Sequence, residues 1–168
     1  MAITTEQIKA LREETGAGVM DAKRALGDAN GDAARARAIL RATGIAAAAK
    51  RAERGTSKGG VESYIHGGGR VGVIVEVNCE TDFVANTEEF RTLARNIAMQ
   101  IAAMNPQVVS ADDPERANHE GSDEEVVLMA QSFIRDGSRT IATLVQDAIA
   151  KTGENVRVRR FVRFELGR

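Results

Sequence analysis

With a single cysteine, Cys79, the chain has no partner for an intrachain disulfide, and that scarcity suits a reducing compartment. Tryptophan is absent and aromatics make up 4% of the 168 residues, so a platform for stacking single-stranded bases lacks its parts. Neither charge is in real excess. Against 23 basic residues stand 24 acidic ones, whereas a general nucleic-acid binder carries a clear basic surplus. No uninterrupted apolar run approaches the roughly 20 residues that cross a bilayer. The start Met1-Ala2-Ile3-Thr4-Thr5-Glu6 has no basic, apolar and small-residue order of a secretory signal. These absences lead to the expectation of a soluble, cytoplasmic chain that binds neither membrane nor nucleic acid directly. Its 43% apolar content suffices for one domain, or one with a small appendage.

Helical spacing dominates the N-terminal segment. Thr4 with Gln7 makes a capping box ahead of Ile8 and Leu11, and Gly16 supplies the stop. Val19, Ala22 and Leu26 recur at helical intervals in a second short helix, closed by the Gly27 to Gly31 turn region. Asp32 caps a third helix carrying Ala36, Ile39 and Leu40, with Gly44 at its end. Residues 1–54 are therefore expected to form a small three-helix bundle followed by a linker helix. Lys50, Arg51, Arg54 and Lys58, among glycines and without aromatics, read as a solvated tether rather than a phosphate patch.

Residues 55–168 change period and read as an α+β core with an antiparallel sheet packed on helices. Val61 to His66 and Arg70 to Asn78 form a hairpin around Gly67-Gly68-Gly69. Asn86 with Glu89 caps a helix whose stripe is Phe90, Leu93, Ala94, Ile97, Ile101 and Met104, stopped at Asn105-Pro106. Between Gln107 and Gly137 the pattern is weak, and Ser122 with Glu125 suggests a short helix where a strand is almost as well supported. Ser138 starts a further helix with Ile141, Leu144, Val145, Ala148 and Ile149 that ends at Gly153. Val156, Val158, Val162, Phe164 and Leu166 then form a final strand, bulged at Arg159-Arg160. Arg157, Arg159, Arg160 and Arg163 are expected on its solvent side.

Motifs for covalent chemistry are missing. Gly67-Gly68-Gly69-Arg70-Val71-Gly72 matches G-x-G-x-x-G, but the glycines precede a strand instead of opening a helix, so no pyrophosphate cradle results. His66 and His119 have no Cys or carboxylate at metal-ligand spacing, so neither a metal nor a cofactor is expected. Ser57, Ser63 and Ser138 lack a nucleophile-elbow context, and Cys79 lacks a partner that would lower its pKa. What stands out is Glu76 to Asn86, where an acid and a large aromatic, Asp82 and Phe83, fall between a strand and a helix. Neither apolar pattern claims Phe83. It either fills the joint or projects as an anchor for another protein.

Two segments carry a resemblance. Leu11-Arg12-Glu13-Glu14-Thr15-Gly16-Ala17-Gly18-Val19-Met20-Asp21-Ala22-Lys23-Arg24-Ala25-Leu26 and Glu76 to Asn86 are similar to the signature segments of the bacterial-type elongation factor Ts family. The ending from Gly153-Glu154-Asn155 through Arg159-Arg160-Phe161 to Gly167 resembles that family's C-terminus. The resemblance implies a guanine-nucleotide exchange factor, not an enzyme of covalent chemistry, that frees GDP from elongation factor Tu. It implies a ubiquitin-associated-like bundle resting on the GTPase through Arg12, Val19 and Met20. It also implies that the Thr81-Asp82-Phe83-Val84 stretch binds the partner, with Phe83 wedged beside the magnesium and phosphate site.

Some positions depart from the family pattern. A Met is common where Val19 stands, which weakens the expected contact through the bundle, and a His is common where Gln100 stands, which puts contact through that helix in question. The Met104 to Ser138 stretch is short for the family, which puts contact with the GTPase's third domain in question. Short members tend to pair, and the final strand offers a seam. With Val162 where some carry a Cys, such a homodimer would be noncovalent. Two other classes stay open: an adaptor that binds a protein partner through its helical bundle, and a small enzyme using Cys79 as nucleophile.

Overall fold

The computed structural model describes residues 3–168, so Met1 and Ala2, the first residues of the segment read above for a targeting signal, lie outside the described residues. Helix α1 (Thr5–Thr15) begins at the expected Thr4–Gln7 capping box and ends at Gly16, whose φ of 69° is left-handed. Helix α2 (Val19–Asp28) follows, and Asp32 caps α3 (Ala33–Arg51) by accepting from the Arg35 N–H. Leu11, Ala22, Ala25, Leu26, Ala29 and Ala36 form a core of mostly small side chains.

Helix α3 does not stop at Gly44. The helix runs on to Arg51, so the expected separate linker helix is its second half. Tertiary contact is the reason, since a Cβ at Gly44 would sit 3.7 Å from the Ala150 Cβ, and Ala48 is buried in the second core. A lone helical glycine that weakens local propensity is here the surface on which another helix lies.

The second core is built on a three-stranded antiparallel sheet of order β1-β2-β5, with β1 spanning Lys58–His66, β2 Val71–Cys79 and β5 Arg157–Glu165. Val73, Val75 and Val77 alternate inward and meet Phe90, Leu93, Ile97 and Ile101 of α5 (Glu88–Met104) and Ile141, Leu144, Val145 and Ile149 of α7 (Ile141–Thr152). Full burial of each such side chain contributes about 1.5–3 kcal/mol. Gly59 is required at the start of β1, where φ is +140° and a Cβ would lie 2.1 Å from the Val77 carbonyl oxygen. The opposite face of the sheet is uncovered and carries exposed Val61, Ile65, Ile74, Val162 and Phe164.

Several local expectations shift. Thr87, not Asn86, caps α5, because residues Asp82–Ala85 already form a short helix, α4. Ser122 and Glu125 form their capping box, yet the helix they open, α6 (Asp123–Val126), lasts four residues before Val127 makes a parallel bridge to Val108. Ser138 lies in a strand, since Ser132–Phe133 (β3) and Asp136–Thr140 (β4) pair as a hairpin and Thr140 caps α7. Period-based reading misses this hairpin because it has too few apolar residues to show alternation. The bulge falls where expected, with Arg159 unmatched between the Glu76–Arg160 and Val77–Val158 pairs. Arg163 is the exception among the outward arginines. It turns inward and donates to the Ala102 carbonyl at 3.2 Å near the end of α5, where a cation is favoured. Among the described residues, no helix is long and apolar enough to cross a membrane.

Candidate functional site

Strand β2 delivers the chain into α4 through Cys79, Glu80 and Thr81, and each polar end of that passage is tied down. The Thr81 hydroxyl oxygen accepts from the Val84 N–H at 3.3 Å and donates its own hydrogen to Glu154 Oε1 at 2.6 Å. Glu154 Oε2 accepts from the Glu80 and Thr81 amides at 3.1 and 3.0 Å. On the far side the Thr87 hydroxyl donates to the Val84 carbonyl at 2.7 Å, and Asn86 donates to the Asp82 carbonyl at 2.8 Å. Lys58 pairs with the Asp82 carboxylate at 3.3 Å. Phe83 touches none of this and is 81% exposed.

Val84, not Phe83, fills the joint. It is 4% exposed and belongs to the sheet core, so of the expected partner-binding stretch it faces its own protein while Thr81 serves as the cap. Phe83 is consequently a large apolar side chain fixed in water on a short, doubly anchored helix. Contact with a surface that buried it would recover the roughly 1.5–3 kcal/mol it forgoes here.

The other expected contact residues sit at the α1–α2 corner. Val19 and Met20 are 50% and 68% exposed, and Arg12 donates to the Ala17 carbonyl at 3.4 Å, steadying the turn just before them. That corner rests on the end of α7, because a Cβ at Gly16 would lie 2.5 Å from Lys151 Cε. The supposed tether is also more committed than its composition suggests. Arg54 pairs with Glu80 at 3.5 Å and Lys58 with Asp82, so these two cations serve the signature loop.

Gln100 is fully buried and cannot meet a partner. It donates to Gln131 at 3.2 Å and to the Ser132 carbonyl at 3.1 Å, and accepts from the Ile134 amide at 2.9 Å. Cys79 is fully buried as well, with its thiol donating to the Thr81 carbonyl at 3.1 Å. Burial foremost, then the charge of Glu154, pushes its pKa up, so the reactive thiolate is disfavoured. Among the described residues no group of three or more His, Cys, Asp or Glu side chains could hold a metal ion. Two open depressions lie along β5, one lined by Thr56, Asn78 and Arg157 to Arg159, the other by Val61, Ile74, Glu76 and Arg160 to Val162. Phe83 lines neither. The residues that sequence reading missed are Glu154 and Asn155. One signal existed, since an acid just beyond a helix C-terminus opposes the helix dipole and must find its donors elsewhere.

Fold and site together define an α+β protein whose distinctive surface is an exposed aromatic beside an acid, on a short helix tied down at both ends. A family model described as "Elongation factor TS" matches residues 36–124. Elongation factor Ts of Carboxydothermus hydrogenoformans is 50% identical, over 98% of this chain and 89% of the relative. Those of Caldanaerobacter subterraneus subsp. tengcongensis and Moorella thermoacetica are each 48% identical over 98% of this chain, covering 97% and 96% of the relatives. The chain belongs to the elongation factor Ts family, and so to the translation elongation factors. The alignments run over 194 positions, more than the 168 residues of this chain, so the relatives carry residues it lacks.

Proposed function

We propose that this chain is a cytoplasmic guanine-nucleotide exchange factor that binds elongation factor Tu and promotes GDP release. The observation that carries the reading is the mounting of Phe83, exposed on a helix held at one end by its Thr81 cap and at the other by the Thr87 bond to the Val84 carbonyl. A GTPase holds GDP largely through phosphate contacts and Mg²⁺, and a partner that stabilises a G-domain shape lacking that geometry must weaken the nucleotide by the same coupling free energy. Phe83 supplies apolar burial for the displaced shape, and Asp82 a charge that fixes register. Arg12, Val19 and Met20 provide a second foothold through the bundle, while Thr81 and Val84 hold the loop from behind. Nucleotide entering the ternary complex weakens the factor's hold in turn, which allows turnover.

The test is release of labelled GDP from purified elongation factor Tu. Acceleration by this protein supports the reading. Binding without any change in off-rate would assign an adaptor role to the helical bundle instead. The uncovered sheet face supports one further partner, a second copy of the chain, joined noncovalently through Val61, Ile65, Ile74, Val162 and Phe164, because a patch related to itself by a two-fold axis makes a closed pair.

A further inference from the structure

We propose that Glu154 is the positioning residue that aims Phe83, an inference that rests on the exchange reading above. Glu154 follows Gly153, the left-handed cap of α7 with φ of 73°, and stands in the field of carbonyls at that helix end. A carboxylate is disfavoured there unless donors satisfy it. Its donors come from 73 and 74 residues earlier in the chain: the Thr81 hydroxyl at 2.6 Å and the Thr81 and Glu80 amides at 3.0 and 3.1 Å. The hydroxyl bond matters most. It fixes the Thr81 side chain in the rotamer whose oxygen also accepts from the Val84 amide, so one carboxylate sets both the cap and the start of the helix that carries Phe83 at its second position.

The clasp closes in both directions. Glu80 Oε1 accepts from the Asn155 amide at 2.6 Å, and the buried Asn155 side chain donates to the Ala52 and Arg54 carbonyls at 3.3 and 2.8 Å, just past the end of α3. The segment leaving the helical bundle and the loop bearing Phe83 are thus held to one short stretch after α7. Glu154 is not among the residues of the apolar core, so loosening it frees the loop without opening the core. Glutamine is the informative replacement. Its amide keeps the shape but offers one acceptor oxygen, and its NH₂ group confronts donors that the second carboxylate oxygen now satisfies.

The experiment compares wild type, Glu154→Gln, Phe83→Ala and the double variant, all as the full chain. Labelled GDP release from elongation factor Tu is followed over a range of factor concentrations, and amide hydrogen exchange is recorded on each free protein. Expected for Glu154→Gln are a maximal release rate lowered roughly tenfold, a half-saturating concentration within about twofold of wild type, and faster exchange at Glu80 and Thr81 with protection in β2 and α5 unchanged. In the Phe83→Ala background the Glu154 change should have no further effect, because it acts through the ring. A wild-type maximal rate for Glu154→Gln, a second additive loss in the double variant, or a general fall in protection across α5 would each overturn the proposal. If wild type itself leaves GDP release unchanged, the exchange reading fails, while exchange at Glu80 and Thr81 still decides whether Glu154 holds the loop.

Discussion

Phe83 and Val84 are neighbours in one four-residue helix, yet one is 81% exposed and the other 4%. A single helical step of about 100° turns successive side chains to different faces, so with Val84 buried Phe83 lies on another face. Cys79, two residues before Thr81, belongs to the inward set, and its raised pKa and full burial make it a small apolar filler rather than a nucleophile. Its thiol should therefore react with iodoacetamide far more slowly in the native chain than in denaturant, and Cys79→Ser should exchange nucleotide within about twofold of wild type, since a hydroxyl can donate to the same carbonyl. Rapid native alkylation would show that the thiol is reachable after all. Phe83 was conspicuous in the sequence because no period claimed it, but its direction was not readable. That depended on Glu154, 71 residues further on by position, and on Thr87 taking the cap that Asn86 was expected to supply.

At the scale of elements, what local chemistry dictates was legible and what distant packing dictates was not. The Thr4–Gln7 and Ser122–Glu125 boxes, the Asp32 cap and the left-handed stops at Gly16 and Gly153 each depend on residues within one turn. The passage of α3 through Gly44 depends on α7, and the β3–β4 hairpin depends on a partner inside α5. That partner is Gln100, which stands where the family often has a His and whose side chain binds the start of the hairpin. Replacing it with leucine would leave the Ile134 amide and the Gln131 side chain short of partners. Gln100→Leu should lower the unfolding free energy by about 1–3 kcal/mol in urea titration, and a neutral result would show that this polar cluster is dispensable.

For the whole molecule, two consequences concern conditions and company. Glu76 has a lowered pKa, chiefly from its bond to Arg160 and then Asn78; Glu165 from Arg163; Glu125 from Ser122; and Asp136 from Ser138. A carboxyl held below its unfolded value adds stability above that value and loses it as pH falls through the folded one. Glu76→Gln should thus melt below wild type at pH 7, and the two should converge as pH drops below the ordinary glutamate value of 4.5. A gap that persisted in acid would deny the charge its role. The uncovered sheet face predicts that Phe164→Glu shifts the chain from dimer to monomer in sedimentation, whereas a wild-type chain already monomeric at high concentration would remove the second copy from the account.

In the proposed mechanism one ring, held outward by its own fold, loosens a nucleotide in another protein. That loosening is tested most directly by the rate of labelled GDP release from elongation factor Tu at saturating factor, with wild type beside Phe83→Ala. The account predicts that the variant keeps its fold and still binds, yet releases GDP more slowly than wild type by roughly 30-fold, the loss expected when an interface anchor is removed. Equal rates for the two proteins would contradict it.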